Sequence, residues 1–450
     1  MKSVFVLLML IVIFGGICSV HLALAQTSTS LHQNSDGSMP ASEEAPDRFW
    51  MGWSSPVDVS QSPTNQALWP ALGVTAGGQM IYLAWSDGRD GVSNIHYTNS
   101  GDGGASWTPA QRVWWTDLKS WRPTLVVTGT TRYLAWADQA SSGLEHTVYQ
   151  MALGAGSVTF VPNEHPMLAS APRLALGAGG ELHLVLPGGL GNNPDVLYSR
   201  RSIGATTWPT ATVVFTHTAT GSFEPSLVVS PDGETIHLVW EERDFTKSAI
   251  YYMRGQRSGA ETVWQSPTVL SPGINKSVLP VIGLAESDTG YVLHVIWGET
   301  QNQDGYKDRY VRYSRSDDEG ASWSDPIRID PEAVRTNENT PSKVAHDLAI
   351  TPSGTVCVSW HGFRSGVAVE AEEVYLTCST DQGTGWETAV NVSRSPNLIS
   401  IRPVLDVGDN GILHLVWQEQ AYEDADPLGE YQIYYVHSLP HSVMLPMVRR

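Results

Sequence analysis

The chain alternates short apolar stretches with runs rich in Gly, Pro, Asp and Asn. Seven of the apolar stretches share one pattern, a short strand that ends in Trp, or in Leu in the third copy. They cover residues 81–85, 133–136, 182–186, 236–240, 293–297, 356–360 and 413–417. Their last residues are about 55 positions apart on average, and a repeat of that length is typical of an array of β-units.

Each Trp strand has predicted partners on both sides. A second apolar stretch precedes it, opened by Pro in six of the seven copies, as at 225–229, and a Pro-Asp-Gly turn at 231–233 favours a hairpin between the two. A third and a fourth strand follow, as at 249–253 and 326–329. Four antiparallel strands per unit, repeated seven times, predict an all-β fold, a seven-bladed β-propeller.

The seventh unit lacks a fourth strand, because the repeat ends after residues 432–436. Near the other end of the chain, residues 53–59 read as a fourth strand without a unit of its own. We therefore expect this segment to complete the last blade and to close the ring, which removes the free edges that invite aggregation.

The ends of the chain divide into three further segments. Residues 1–25 have the positive start, apolar stretch and small-residue cleavage site of a signal peptide, with an uncleaved membrane anchor as the alternative. Residues 26–47 are polar and predict a flexible linker before a propeller at 48–439 and a short tail at 440–450. The sequence thus predicts a secreted or cell-surface protein with no membrane span after leader cleavage.

Two cysteines remain after the leader, and an exported protein can keep a disulfide between them. Cys357 and Cys378 lie on consecutive strands of the sixth unit. If Trp360 pairs with Tyr375, the same register places the two cysteines opposite each other. The sequence therefore predicts a disulfide, and two buried thiols are the alternative.

The formal charge of −19 makes nucleic acid and anionic lipid unfavourable partners. Of the 27 basic residues 21 are Arg, whose planar guanidinium suits recognition of carboxylates. Phosphate-binding loops, the HExxH pattern and metal-spaced Cys or His clusters are absent from the sequence. We therefore expect no cofactor and no metal.

Three turns between third and fourth strands have the spelling Ser-x-Asp-x-Gly-x-x-Trp. They contain Ser100, Asp102, Gly104 and Trp107; Ser316, Asp318, Gly320 and Trp323; and Ser379, Asp381, Gly383 and Trp386. The pattern resembles the Asp-box, or BNR repeat, of the sialidase-like (neuraminidase) superfamily. Asp can cap the turn and Gly permits a positive φ, so the motif itself indicates a structural role.

The resemblance implies an activity and a different blade count. Enzymes of the superfamily are glycoside hydrolases that usually have six blades, so six is the alternative here. They bind the sugar carboxylate with three arginines and use a Tyr paired with a Glu as nucleophile and an Asp as acid and base.

Candidate residues for such a site lie on the face opposite the Asp-boxes, where first strands begin and Trp strands end. The candidates for ligand binding are Arg89, Arg122, Arg364 and Arg402, and those for catalysis are Asp87, Glu224 and Glu241. First strands lie nearest the axis of a propeller, so Arg122, Glu224 and Arg402 are expected to converge.

A histidine recurs at one position of the Trp strand in four units. These residues are His183, His237, His294 and His414. Recurrence at a single register indicates packing within the repeat and not a ligand site.

Together these patterns predict a secreted propeller that recognises glycans, most of all acidic sugars, on its upper face, with catalysis left open. An active exo-sialidase or other glycoside hydrolase is the first alternative. A propeller that binds a cell-surface protein, or serves as a structural part of an envelope, is the second.

Overall fold

A computed structural model describes residues 52–129, 131–139, 146–154, 156–163, 171–189, 193–217, 220–243, 247–271, 276–287, 290–303, 306–330, 334–337, 346–363, 372–420 and 430–439. The regular elements in these ranges are all β-strands, and none is a helix. The predicted leader, linker and tail lie outside the described residues.

Every repeat unit contributes a first strand, but the Pro expected to open it lies inside the strand in five units, as Pro70, Pro123, Pro225, Pro280 and Pro403. The first strands are β2 (Ala67–Val74), β6 (Ser120–Thr128), β10 (Arg173–Gly177), β14 (Gly221–Val229), β19 (Lys276–Ser287), β24 (His346–Ile350) and β28 (Ser400–Val407). The Trp strand follows as the second strand in each unit: β3 (Ile81–Asp87), β7 (Thr131–Gln139), β11 (Glu181–Gly188), β15 (Thr235–Arg243), β20 (Gly290–Gln303), β25 (Val356–Phe363) and β29 (Leu413–Gln420).

Third strands are long and outer strands are short. The third strands are β4 (Asn94–Ser100), β8 (His146–Ala152), β12 (Asp195–Ser202), β16 (Ser248–Ser258), β21 (Tyr306–Ser316), β26 (Glu372–Ser379) and β30 (Tyr431–His437). The outer strands are β1 (Val57–Asp58), β5 (Gln111–Arg112), β9 (Thr159–Phe160), β13 (Thr212–Phe215), β17 (Glu261–Trp264), β18 (Thr268–Val269), β22 (Ile327–Arg328), β23 (Val334–Asn337) and β27 (Val390–Asn391). Short outer strands leave little unpaired edge.

The strands pair in sequence order within each unit, so the sheets are antiparallel meanders. The described strands form five four-stranded sheets and one ten-stranded sheet. The larger sheet contains the fourth and fifth units, joined by a single parallel pair between Ser248 and Lys276. Multiple four-stranded antiparallel sheets are the arrangement expected of a β-propeller.

The segment near the N-terminus joins the sheet of the last unit. Val57 pairs with Tyr435 and Asp58 with Tyr434, so β1 is the fourth strand of the sheet made by β28, β29 and β30. This is the pairing that the missing fourth strand of the seventh unit predicts.

Apolar side chains lie between neighbouring sheets and form seven separate clusters among the described residues. One of them joins the two ends of the repeat array: Leu83 and Trp85 of the first unit pack with Val416 and Tyr435 of the seventh. The first and seventh units therefore contact each other as consecutive units do.

The Ser-x-Asp-x-Gly-x-x-Trp turns are closed by their own side chains. Ser100 Oγ donates to Asp102 Oδ1 and accepts the Gly104 N–H, both at 2.8 Å, and the Ser106 N–H donates to Asp102 Oδ1 at 2.8 Å. Hydrogen bonds from Ser106 and Ser100 lower the pKa of Asp102 to about 2. The turns that begin at Ser316 and Ser379 contain the same bonds.

Each of these turns also docks on the preceding unit through a Trp, a Tyr and a His. Trp107 packs edge-on against Tyr435 with ring centroids 4.9 Å apart, and Tyr435 Oη lies 2.8 Å from His414 Nδ1. Tyr435 Oη donates to the Gly103 carbonyl, so it accepts from the imidazole. Burial lowers the pKa of His414 to about 4, which keeps it neutral. The recurring histidines therefore have a structural role here.

The Trp strands contain a second repeated bond that the sequence analysis did not identify. The indole Nε1–H donates to a carboxylate two residues later, at 2.8 Å from Trp85 to Asp87 and 2.8 Å from Trp136 to Asp138. The spelling Trp-x-Asp or Trp-x-Glu also recurs at 240–242, 297–299 and 417–419, and that recurrence was the available signal. Most of these carboxylates therefore fix the Trp side chain of their own strand by a hydrogen bond to the indole.

Cys357 lies opposite Cys378 in the register of β25 and β26, and their sulfur atoms are bonded. The bond links residues 21 positions apart, so replacing both cysteines by Ala should lower the free energy of unfolding by about 3 kcal/mol. Denaturant unfolding checks this value. Alkylation and mass spectrometry of the unreduced protein should find no free thiol; two labelled cysteines would contradict the disulfide.

Candidate functional site

The first strands surround a cavity of about 720 Å³. Its lining comes from all seven first strands and the residues beside them, together with His361 of β25, which places the cavity on the shared axis of the sheets. At one end, which we call the mouth, the lining includes Trp69, Arg122, Glu224, Leu279 and Arg402. The sequence predicts that Arg122, Glu224 and Arg402 converge, and the structure brings them together.

These five mouth residues have an unusual backbone conformation. Each directly precedes a Pro, and each has a left-handed φ between 47° and 59° although none is Gly. The strand register shifts at each of these points, so each forms a β-bulge. A bulge re-aims a side chain, and left-handed non-Gly residues cost about 1–3 kcal/mol each. Strain at five positions around one cavity makes the mouth the candidate functional site.

Side chains of the neighbouring unit hold three of the bulges in place. The Trp69 N–H donates to Gln418 Oε1 at 2.9 Å, the Leu279 N–H to Glu241 Oε2 at 3.4 Å, and the Arg402 N–H to His361 Nδ1 at 3.4 Å. All three acceptors directly follow the last residue of a Trp strand. In these three cases, a side chain of one unit therefore positions a mouth residue of the next unit.

Trp69 lies between two guanidinium groups. The Cζ atom of Arg402 is 3.6 Å from the centroid of the indole, and that of Arg122 is 4.2 Å from it. Such cation–π contacts stabilise a cation that is partly removed from water. Trp69 thus holds two positive charges close together at the mouth.

The two arginines differ in their partners. Arg122 Nη1 lies 2.7 Å from Glu224 Oε1, whereas the guanidinium of Arg402 makes no hydrogen bond or ion pair with any described residue. Burial, with a smaller contribution from the positive charge of Arg122, lowers the pKa of Arg402 to about 10. Arg402 remains a cation at neutral pH and presents an open guanidinium to the cavity.

His361 connects the mouth to a buried charge cluster. Its Nε2 atom lies 3.2 Å from Glu372 Oε2, and both side chains are nearly inaccessible. Because Nδ1 accepts the Arg402 N–H, the ring proton of the neutral form lies on Nε2, which faces Glu372. This arrangement fixes the backbone of Arg402.

Deeper in the cavity lie three charged residues that sequence reasoning did not select. Asp347 accepts the Leu405 N–H at 2.9 Å, Asp406 accepts the Val74 N–H at 2.8 Å, and Arg173 lies on the wall. Burial raises the pKa of Asp347 to about 6 and that of Asp406 to about 7. Asp347 and Asp406 occupy inward-facing positions of two first strands, which can be identified only once the register of those strands is known.

Other predicted site residues lie away from the cavity. Asp87 is buried and accepts hydrogen bonds from Trp85, Ser62 and the Arg89 backbone, while the Arg89 guanidinium pairs with Asp87 at 2.6 Å. These contacts give Asp87 and Arg89 a role in holding loops together.

Glu241 also serves the backbone. It is fully buried, pairs with Arg243 at 3.2 Å and caps Leu279 from behind the mouth. Arg364 lies outside the described residues. Of the predicted candidates, the described cavity therefore contains Arg122, Arg402 and Glu224.

Neither a metal-binding cluster nor a membrane-spanning helix occurs in the described part of the chain. It contains no group of three or more His, Cys, Asp and Glu side chains arranged to hold a metal ion. Within the same residues, no helix has the length and apolar character needed to cross a bilayer.

Comparison with known proteins finds similarity in structure only. No family model matches the chain, and no curated protein matches its sequence. A polysaccharide lyase of a new family, an ulvan lyase solved with -[GlcA(1-4)Rha3S]-, has a TM-score of 0.59 at 11% identity and covers 84% of this chain and 95% of its own.

Two further structures align over a similar length. An α-L-arabinofuranosidase from Fusarium graminearum, solved with an iminosugar inhibitor, has a TM-score of 0.51 at 14% identity over 85% of this chain and 97% of its own. A protein of unknown function from Dyadobacter fermentans has a TM-score of 0.51 at 13% identity, covering 86% and 98%. At these identities the likeness establishes a shared β-propeller fold.

Proposed function

We propose that the protein is an exported, sialidase-like β-propeller that recognises a carboxylate-bearing sugar at the mouth of its cavity. The observation that carries this proposal is the guanidinium of Arg402. It is half-buried and stacked on Trp69, and it has no hydrogen-bond or ion-pair partner among the described residues.

A carboxylate is the group that best completes this arrangement. A guanidinium removed from water and left unpaired is unfavourable, and a bidentate carboxylate supplies two charge-assisted hydrogen bonds to it. The mouth is a local positive site in a chain of net charge −19, so it favours a small anion over a bulk polyanion. Leu279 and the edge of Trp69 provide apolar surface for a sugar ring.

Structural neighbours support a sugar as the bearer of that carboxylate. The ulvan lyase was solved with a glucuronate-containing saccharide, and the Fusarium protein is an arabinofuranosidase. Both align over more than four fifths of this chain.

The proposal includes a closed ring of seven blades. Seven repeat units, seven interfacial apolar clusters and the pairing of β1 with β30 support it. The hydrogen bond from the Val74 N–H of the first unit to Asp406 of the seventh has the form of a contact between neighbouring blades. A closed ring gives the mouth a rigid frame.

Cleavage of a glycosidic bond is the second candidate, because Glu224 lies in the mouth beside Arg122. Hydrolysis normally requires two carboxyl groups that flank the scissile bond. Glu224 is the predicted carboxyl that reaches the cavity, since Asp87 and Glu241 serve other contacts, and the deeper Asp347 and Asp406 each accept a backbone N–H of a neighbouring first strand. Recognition is therefore the primary proposal.

Replacing Arg402 by Ala should weaken binding of glucuronate or sialic acid about 10- to 100-fold, the loss expected when a charge-assisted hydrogen bond is removed. Titration calorimetry measures this change. Arg394→Ala, which removes an exposed arginine outside the cavity, should leave affinity unchanged.

Two results would contradict the proposal: no binding of either acid by the wild type, or equal affinity in Arg402→Ala. Fluorogenic sialosides and glucuronides test the second candidate in parallel. Turnover that disappears in Glu224→Gln would show hydrolysis. Binding without turnover would support recognition without hydrolysis.

A further inference from the structure

Two adjacent tryptophans lie exposed on the surface. The exposed fraction is 40% for Trp114 and 57% for Trp115, and every other described tryptophan is less exposed than either. Large aromatic side chains usually become buried, so an exposed pair indicates a binding surface.

The pair lies on the same face as the mouth. It belongs to the connection between β5 and β6, and β6 carries Arg122. Three hydrogen bonds fix the end of this connection: the Thr116 N–H donates to Asn94 Oδ1 at 3.3 Å, the Ser120 N–H to Ser93 O at 2.8 Å, and the Gln139 N–H to Lys119 O at 2.9 Å. Ser93 and Asn94 lie at the start of β4 and Gln139 at the end of β7. These strand ends all lie at the level where β6 begins.

The connection also runs in a defined direction. It starts at the outer strand of the first unit and ends at the inner strand of the second, so it crosses the top of a four-stranded sheet. Three interstrand spacings separate outer and inner strands, about 14 Å in all. The exposed tryptophans therefore lie along a path that leads from the rim to the mouth.

The geometry points to a second carbohydrate subsite at Trp114 and Trp115, which binds a further sugar of an oligosaccharide whose terminal carboxylate sits at Arg402. This inference rests on the proposed function and specifies its ligand as a chain of several sugars that ends in one uronate. The flat indole faces suit stacking with the C–H surface of a pyranose ring.

Charge favours a sugar chain over a lipid surface at this position. Arg112, the last residue of β5, pairs with Asp90 at 2.9 Å, and the connection itself carries Asp117 and Lys119, so it has no net charge. A neutral surface suits the uncharged C–H face of a sugar ring, whereas it offers no attraction to the headgroups of an anionic bilayer.

Binding of oligosaccharides that carry one terminal glucuronate, from the monomer to the hexamer, tests the subsite. The wild type should bind the hexamer about tenfold more tightly than the monomer. Trp114→Ala with Trp115→Ala should abolish that gain and leave monomer affinity unchanged, because one sugar cannot span both subsites. Arg402→Ala should weaken both ligands.

Phe160→Ala is the matched control, because Phe160 is an exposed aromatic residue on an outer strand and is 51% exposed. It should leave the length dependence intact. Near-ultraviolet circular dichroism and thermal midpoints verify that each variant is folded, which is expected because the replaced side chains lie at the surface.

Other results would overturn the inference. Equal affinity for monomer and hexamer in the wild type would remove the second subsite while leaving the proposed function intact. Failure of the wild type to bind any uronate would remove both. Flotation with phosphatidylcholine vesicles that depends on the two tryptophans, without an effect on hexamer binding, would assign the surface to a membrane instead.

Discussion

A protein without residues 52–60 is expected to lose its native fold and to aggregate. The deletion removes β1, which is the outer strand of the sheet that contains β30. It also removes Trp53 and Val59 from two apolar clusters. Loss of one buried Trp alone costs about 3–5 kcal/mol, and the free energy of unfolding of a whole domain is only about 5–15 kcal/mol.

The same deletion leaves polar groups of the last sheet without partners. Ser60 Oγ donates to Gln432 Oε1 at 2.6 Å and accepts the Ile433 N–H at 2.9 Å, and the Val59 N–H donates to Ile433 O at 2.9 Å. An uncovered β30 would present a free edge to other molecules. Light scattering and size-exclusion chromatography measure the outcome.

Removal of residues 26–46 provides the matched deletion, because their polar composition predicts little contribution to a core. That protein should remain monomeric with an unchanged thermal midpoint. Adding a synthetic peptide of residues 50–62 should reduce aggregation of the first variant. A soluble monomer with a native midpoint after loss of 52–60 would refute the role of β1.

Gly383→Ala should lower the free energy of unfolding by about 3 kcal/mol or more. Gly383 has a φ of +86°, and an added Cβ would lie 1.7 Å from Tyr313 Oη. That hydroxyl lies 2.8 Å from His294 Nδ1, so it cannot withdraw without breaking a buried hydrogen bond. Denaturant unfolding checks the change, while affinity of the folded protein for acidic sugars should be unaffected.

Gly354→Ala separates the two causes. Gly354 has a φ of +80°, close to that of Gly383, but the nearest atom to an added Cβ is Gln382 Nε2 at 4.0 Å. The free energy of unfolding of this variant should fall only by the cost of placing an alanine in the left-handed conformation, about 1–2 kcal/mol. Equal losses in both variants would show that the close approach to Tyr313 contributes nothing.

Much of the fold was predictable because the repeat is spelled in the sequence. The strand that ends in Trp recurs seven times, and each copy became a second strand. The absence of a fourth strand after residues 432–436 and the orphan at 53–59 together predicted the pairing of Val57 with Tyr435. Opposed cysteines followed from the antiparallel register alone.

The mouth was predicted only in part, because its geometry depends on backbone conformation. A residue before Pro is normally extended, so the left-handed φ of Arg402 could not be inferred from the dipeptide. Nor could the sequence show that Asp87 accepts a hydrogen bond from Trp85 and forms an ion pair with Arg89 at the same time, since the second contact depends on how a loop folds back. Inward-facing Asp347 and Asp406 require the exact register of the first strands.

At the mouth, the residues that precede Pro share one backbone conformation although their side chains differ in chemistry. Aromatic, cationic, anionic and aliphatic side chains, in Trp69, Arg122, Glu224 and Leu279, all occupy the same backbone conformation. The bonds that hold three of these bulges come from backbone N–H groups, at Trp69, Leu279 and Arg402, and so do not depend on the side chain of the residue before Pro. Substitutions at these positions can therefore exchange one ligand preference for another while the sheets remain unaltered, which makes the mouth a natural starting point for directed evolution of sugar specificity.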